Sequence, residues 1–293
     1  MTSRTAIAAA SFGLDHLVVL VEDLEEAGAR YARFGFTVAP QMHHPFGTAN
    51  RLMTFKQTFL ELVGVVRPEA LSGPGLLVAE RLAQSGQGAF GIALLAADIE
   101  RDRGLLVARG LGCGDIGGGS RVVPLPSGTE GLARFSTALI PGPAGLESIF
   151  FFLAQQHVPE AVWVPAWQRH PNGARAWRSV TLAVPDMASF VSYLQTLFGP
   201  SQVAVQGESV LARTPLGTIA GVSTAEAARR YGPAPADALP GRVCAATIGV
   251  DDIDLARNLV ETGGTPTSPA SGGGFRIGPA ETCGVILEFQ GPS

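Results

Sequence analysis

The sequence returns four times to one pattern: an apolar stretch closed by a short acidic turn, a helical segment, then short strand-like runs punctuated by glycine and proline. The four openings are Leu14–Leu24 (LDHLVVLVEDL), Phe90–Ile99 (FGIALLAADI), Ser179–Met187 (SVTLAVPDM) and Cys244–Ile253 (CAATIGVDDI). A repeat of this length makes the chain an array of one supersecondary unit, and a single such unit cannot bury its own apolar face. It also makes the search for a site comparative. A polar residue in one copy, where the sister copies carry small ones, has a reason to be there. His16 is such a residue, aligned by the acidic turns with Gly91, Ser179 and Ala245.

Module one reads as a strand over 14–21, with Asp23 as N-cap of a helix over 24–34 whose buried face takes Leu24, Ala27, Ala29, Tyr31 and Phe34. Gly35 ends that helix. Strands follow around 36–40, 50–55 and 58–65, with Lys56-Gln57 as a tight turn. Module two repeats the plan with a strand at 90–96, a helix from Asp98 through Arg109, a glycine-rich turn at 110–119 and strands at 121–125, 133–140 and 146–155. Module three has a strand at 179–184, a helix over 186–198 and strands at 202–206, 209–214 and 217–222. Module four has 243–250, a helix over 251–261, then strands at 275–277 and 284–290. Two stretches break the rhythm. His157–Ala176, rich in Trp and Pro, reads as an ordered linker, and Ala225–Gly241 as a helical turn plus a connection.

Length and composition bound the rest. A chain of 293 residues suffices for two domains that each bury a core. Hydrophobic residues at 46% against 16% charged ones mark a globular chain. The net charge is −4 and Lys56 is the sole lysine, so there is no basic stripe of the kind that nucleic-acid binding requires. Mean hydropathy is high at +0.25. Even so, apolar runs such as Leu17–Val21 and Ile149–Ala154 are too short to span a bilayer. The N-terminal stretch lacks the apolar core of a signal peptide. Three cysteines, Cys113, Cys244 and Cys283, form no CxxC pair, which fits a reducing cytoplasm. No P-loop, GxSxG elbow or HExxH is present.

Two strand–helix–strand–strand–strand units can pair their sheets into a cupped half-barrel, and four such units resemble the vicinal oxygen chelate superfamily of glyoxalase I, extradiol dioxygenases and bleomycin-resistance proteins. The stretches Leu14–Glu26, His44–Leu52 (HPFGTANRL), Phe59–Val65 (FLELVGV) and His170–Ala174 (HPNGA) are similar to its glyoxalase-like domain branch. The resemblance implies an α+β fold of four βαβββ modules in two cupped domains, 12–155 and 177–291, joined by a linker at 156–176. It implies an enzyme of vicinal oxygen chelate type, a lyase, isomerase or dioxygenase. It also leaves open whether modules pair within one chain or across a homodimer.

In metal-using members one ligand sits on the first strand of a module and another on its last strand, which here gives His16 and Glu61. A divalent Fe, Mn, Zn or Ni held by imidazole and carboxylate would chelate two adjacent substrate oxygens. Alternatively Glu61 serves as general base. The family's second ligand pair is replaced by Gly91 and Phe152, or in a shifted register by Glu147, so a third ligand must come from His44, Glu147, His157 or His170. His44, Thr48 and Asn50 are candidates for positioning the substrate, and Phe55, Phe59, Phe151 and Phe152 for an apolar lining. Module four keeps Glu288 but no histidine partner, so the second half reads as structural. The incomplete ligand set supports a second reading: a metal-free protein that sequesters a hydrophobic small molecule, as the bleomycin-resistance relatives do.

Overall fold

The computed structural model describes residues 12–233 and 241–292, so the expectation for the N-terminal stretch and the 234–240 part of the connection lie outside the described residues. Module one comprises β1 (Gly13–Leu20), α1 (Leu24–Arg33), β2 (Met42–His43), β3 (Thr48–Thr54) and β4 (Phe59–Val65). A helix, α2 (Pro74–Ser85), leads to module two: β5 (Gly88–Leu95), α3 (Ile99–Ala108), β6 (Gly117–Pro124), β7 (Glu130–Ile140) and β8 (Phe150–Gln156). Module three is β9 (Ala174–Val184), α4 (Met187–Phe198), β10 (Val203–Gln206), β11 (Ser209–Thr214) and β12 (Gly217–Ser223). After α5 (Thr224–Tyr231), module four is β13 (Arg242–Val250), α6 (Ile253–Thr262), β14 (Thr267–Pro269), β15 (Phe275–Ile277) and β16 (Ile286–Gln290).

The acidic turns work as helix caps. Asp23, Asp98, Asp186 and Asp252 each accept hydrogen bonds from first-turn backbone N–H groups of the helix that follows. In module four the capping carboxylate is Asp252, one residue later than the sequence reading placed the helix start, because Asp251 turns outward to pair with Arg175. Each helix is the crossover that a parallel strand pair needs. β1 therefore pairs in parallel with β4, β5 with β8, β9 with β12 and β13 with β16. The first strands of adjacent modules pair antiparallel, β1 with β5 and β9 with β13, so modules join two by two into sheets ordered β2-β3-β4-β1-β5-β8-β7-β6 and β10-β11-β12-β9-β13-β16-β15-β14.

Alternation along each strand then sorts side chains between two environments. On β8, Phe151 and Leu153 enter a core shared by both sheets and their helices, while Phe150, Phe152 and Ala154 face the hollow of the first sheet. Rings bridge the halves: Phe151 meets Tyr193 at 5.3 Å and Phe36 meets Phe289 at 5.9 Å. The first sheet curls until its edge strands β2 and β6 approach each other. Among the described residues no helix is long and apolar enough to cross a membrane.

The expected linker is shorter than the sequence implied. Residues 174–178 already belong to β9, where Ala174, Ala176 and Trp177 pair with β13. The HPNG turn before them is a strap. His170 accepts the Thr37 N–H at Nδ1 (3.0 Å), and its Nε2 donates to the Thr54 carbonyl at 2.9 Å. Asn172 is fully buried, donates to the Phe34 carbonyl at 2.9 Å and accepts from Ala174 N–H at 3.0 Å. Asn172→Ala strands both backbone groups, so chemical denaturation should show a loss of about 2 kcal/mol. A loss below about 0.5 kcal/mol would show that the strap carries no load.

Candidate functional site

The parallel register of β1 and β4 sets His16 opposite Phe59 and Val18 opposite Glu61. The alternating positions His16, Val18 and Leu20 on β1 and Phe59, Glu61 and Val63 on β4 all line the hollow of the first sheet, a cavity of about 650 Å³. On its floor the Phe59 ring stacks on the His16 imidazole at 4.2 Å, and Phe152 meets that imidazole edge-on at 5.4 Å.

His16 is held between two carboxylates. Its Nδ1 lies 2.9 Å from Oδ2 of the fully buried Asp15, and its Nε2 lies 3.4 Å from Glu61 Oε2. The second carboxylate is fixed in turn. Asn50 sits two residues along β3 from Leu52, the direct partner of Glu61, and its Nδ2 donates to Glu61 Oε1 at 2.5 Å. His44 approaches the same oxygen to 3.9 Å. Its ring is set by Thr48 Oγ1 at 2.8 Å from Nδ1 and by stacking on Phe46 at 4.9 Å.

The electrostatics divide these groups. Burial raises the Asp15 carboxyl above its ordinary range, opposed by the His16 hydrogen bond. Burial also pushes Glu61 upward, but His16, His44, Arg121 and the Asn50 amide outweigh it and hold the carboxyl below its usual value. His44 is pushed down to about 4, mainly by burial, with Glu61 opposing. At neutral pH the floor thus holds an ionised Glu61 and a neutral His44. With Asp15 on one ring nitrogen and Glu61 on the other, His16 has the geometry of a proton carrier facing the hollow.

Registers make the four modules superimposable, and the comparison shows what module two lacks. His16 and Glu61 correspond to Gly91 and Phe152 there, to Ser179 and Ala220 in module three, and to Ala245 and Glu288 in module four. A Cβ added to Gly91 would stand 2.8 Å from the Val18 side chain, so no ligand-bearing residue fits at that point. The other expected donors lie elsewhere. Glu147 is exposed in the turn before β8, where it accepts from Gly145 N–H, and exposed His157 bonds Ser136 Oγ at 2.8 Å. His170 is spent on backbone in the strap. Among the described residues no group of three or more His, Cys, Asp or Glu side chains is arranged to hold a metal ion. A buried guanidinium, Arg121, also lines the hollow within electrostatic reach of Glu61. The donor set does not fit a divalent metal, which needs at least three protein ligands.

Other corrections follow from alternation. Phe59 and Phe152 line the cavity, whereas Phe151 faces the shared core and Phe55 packs against His170 and Trp177. Sequence reasoning missed one wall, built by α2 through Pro74, Leu77 and Val78. This helix has Gly75 as its one fully buried residue and leaves Leu76 exposed, so no clean apolar stripe announced it. It also missed Arg121. The run Arg-Val-Val shows no alternation of its own, and only the pleat buries Arg121 and Val123 around an exposed Val122.

Part of the second concave face is covered by its own chain. Ala227 of α5 is buried among Ala183, Val222 and Cys244, with Tyr231 packed beside them, at positions equivalent to the cavity rim of the first sheet. The floor there reduces to Ser179, Thr247 and Glu288 linked by hydrogen bonds, with burial raising the Glu288 carboxyl.

His44 yields a pH test. Unfolded, it takes a proton near pH 6.5; folded, it does so near 4, so stability should fall as pH drops through that window. The loss should reach about 3 kcal/mol at most. His44→Gln should flatten the dependence of urea midpoints between those two pH values, and an unchanged slope would rule out His44 as its source.

A family model described as a glyoxalase-like domain matches residues 14–198. No curated protein matches the chain. Among solved structures, a hypothetical protein from Staphylococcus aureus superimposes with a TM-score of 0.67 at 14% identity, covering 96% of this chain and all of its own. A xylose isomerase-like TIM barrel/4-hydroxyphenylpyruvate dioxygenase fusion protein gives 0.62 at 15%, covering 97% of this chain and 50% of its own. A mutant of 4-hydroxymandelate synthase from Streptomyces coelicolor gives 0.53 at 12%, covering 89% and 78%. At such identities the likeness speaks for fold alone. Four βαβββ modules paired into two cupped sheets, together with the family match over most of the first three, place this chain in the glyoxalase-like domain family of the vicinal oxygen chelate superfamily.

Proposed function

We propose that the hollow of the first sheet is the active site of a small-molecule enzyme that moves protons on an apolar, aromatic substrate carrying two adjacent oxygens. One observation carries this reading: an imidazole clamped between two buried carboxylates on the floor of a largely apolar cavity, in one module of four. A cavity of about 650 Å³ suits a ligand of one or two rings. Phe59, Phe135 and Phe152 offer it aromatic faces.

The chemistry follows from the charges. Ionised Glu61 takes a proton from the carbon beside a carbonyl; that C–H electron pair becomes the C=C bond of an enediol. The carbonyl π pair moves onto its oxygen, which takes the His16 Nε2 proton; Glu61 then returns its proton to the former carbonyl carbon while the other enediol hydroxyl gives its proton back to His16 Nε2 and becomes the new carbonyl. Asp15 keeps the ring oriented, and Asn50 keeps Glu61 aimed. This is isomerase or lyase chemistry run by acid and base groups. One structural neighbour is named a dioxygenase and another a synthase; for metal-dependent chemistry the donor set among the described residues is incomplete. Sequestration of an apolar compound is the second reading, supported by the same lining.

The test is exchange of the α-hydrogens of 2-hydroxy-1-phenylethanone in D2O, followed by proton NMR. The wild type should exchange them well above background, and Glu61→Gln and His16→Ala should each lower the rate by about 100-fold or more. Binding without exchange would favour sequestration. Stoichiometric metal in untagged protein that disappears in both variants would replace acid–base chemistry with metal chemistry.

A further inference from the structure

One buried charge in the hollow has no part in the proton transfer. Alternation on β6 turns Arg121 and Val123 inward and leaves Val122 exposed. Arg121 is 6% exposed and lines the cavity, its guanidinium packed over the Phe135 ring at 5.4 Å. Among the described residues Nε has no hydrogen-bond partner, and no carboxylate lies at ion-pair distance from the guanidinium. Glu61 acts on it across the hollow, while the Glu61 oxygens are engaged by Asn50 and His16. A buried guanidinium without a direct partner is costly and must be offset by something that enters. The hollow it lines has room for such a partner, at about 650 Å³.

We infer that Arg121 is the anchor for a carboxylate on the ligand, so that the site takes aryl-substituted organic acids whose anionic end lies against β6 and whose body lies over the floor at His16. The planar fork of donors matches a carboxylate edge to edge. A single net charge suits the site better than a phosphate dianion, because the Glu61 carboxylate shares the hollow with one guanidinium. This rests on the hollow being the substrate site, and it narrows the substrate to a monoanionic acid.

Calorimetric titration of the full chain with 3-phenylpropanoate and with its neutral isostere 3-phenylpropanamide separates this inference from the proton-transfer reading. The wild type should bind the acid at least about tenfold tighter than the amide. Arg121→Gln and Arg121→Met should bind both equally, with circular dichroism spectra like the wild type. Glu61→Gln should keep the preference for the acid even though α-hydrogen exchange is lost. Equal affinities in the wild type, no binding of the acid, or a preference that survives in either folded Arg121 variant would overturn the inference. Tighter binding of 2-phenylethyl phosphate than of the acid would overturn the choice of carboxylate. Absence of exchange in the wild type with the acid preference intact would count against proton transfer alone.

Discussion

The parallel alignment of β1 with β4 is the constraint on which the rest depends. Backbone pairing opposes Val18 to Glu61 and His16 to Phe59, so an imidazole and a carboxylate from distant parts of the chain reach one face with an aromatic ring beside them. A one-residue slip of β4 would turn Glu61 away from His16 into the shared core, where a charged group would find no partner. The alignment is fixed by the α1 crossover, whose start is set by the Asp23 carboxylate on two backbone N–H groups. Helix capping at the surface and acid–base geometry at the floor are thus two ends of one construction.

Repetition supplies scaffold, and departures from it supply chemistry. All four modules cap their helices with aspartate and pair first and last strands in parallel. They differ at the two inward positions that face the hollow. Module one places His16 and Glu61 there; module two places Gly91 and Phe152, so half the floor is apolar. The imidazole–carboxylate pair sits beside apolar rings in a low-dielectric setting, in which charge interactions are stronger than in water and errors in pairing cost more. Asp15 and Asn50 meet that cost by holding the free ends of the pair.

Much of this was legible in the sequence. The acidic turns, the helices behind them and the strand order of each module follow from periodicity and capping residues, and comparison among copies singled out His16. Glu61 was visible as a charge in the apolar run Phe59–Val65. What escaped notice depended on three-dimensional closure. His157 and Glu147 stood in plausible positions along the chain, yet the turn geometry before and after β8 leaves both outside the hollow. Phe151 and Phe152 are adjacent and chemically identical, and only the pleat decides which one meets a ligand. Arg121 was hidden because its strand lies far along the sheet from β4 and becomes a neighbour only when the edges curl together. The wall from α2 lacked an amphipathic stripe because it packs lightly.

The helix α5 separates the fates of the two concave faces. By packing Ala227 and Tyr231 against Ala183, Val222 and Cys244, it lays a piece of the chain itself over part of the second face, where the first sheet leaves its hollow open. The duplicated scaffold thus carries an asymmetry fixed in its covalent structure.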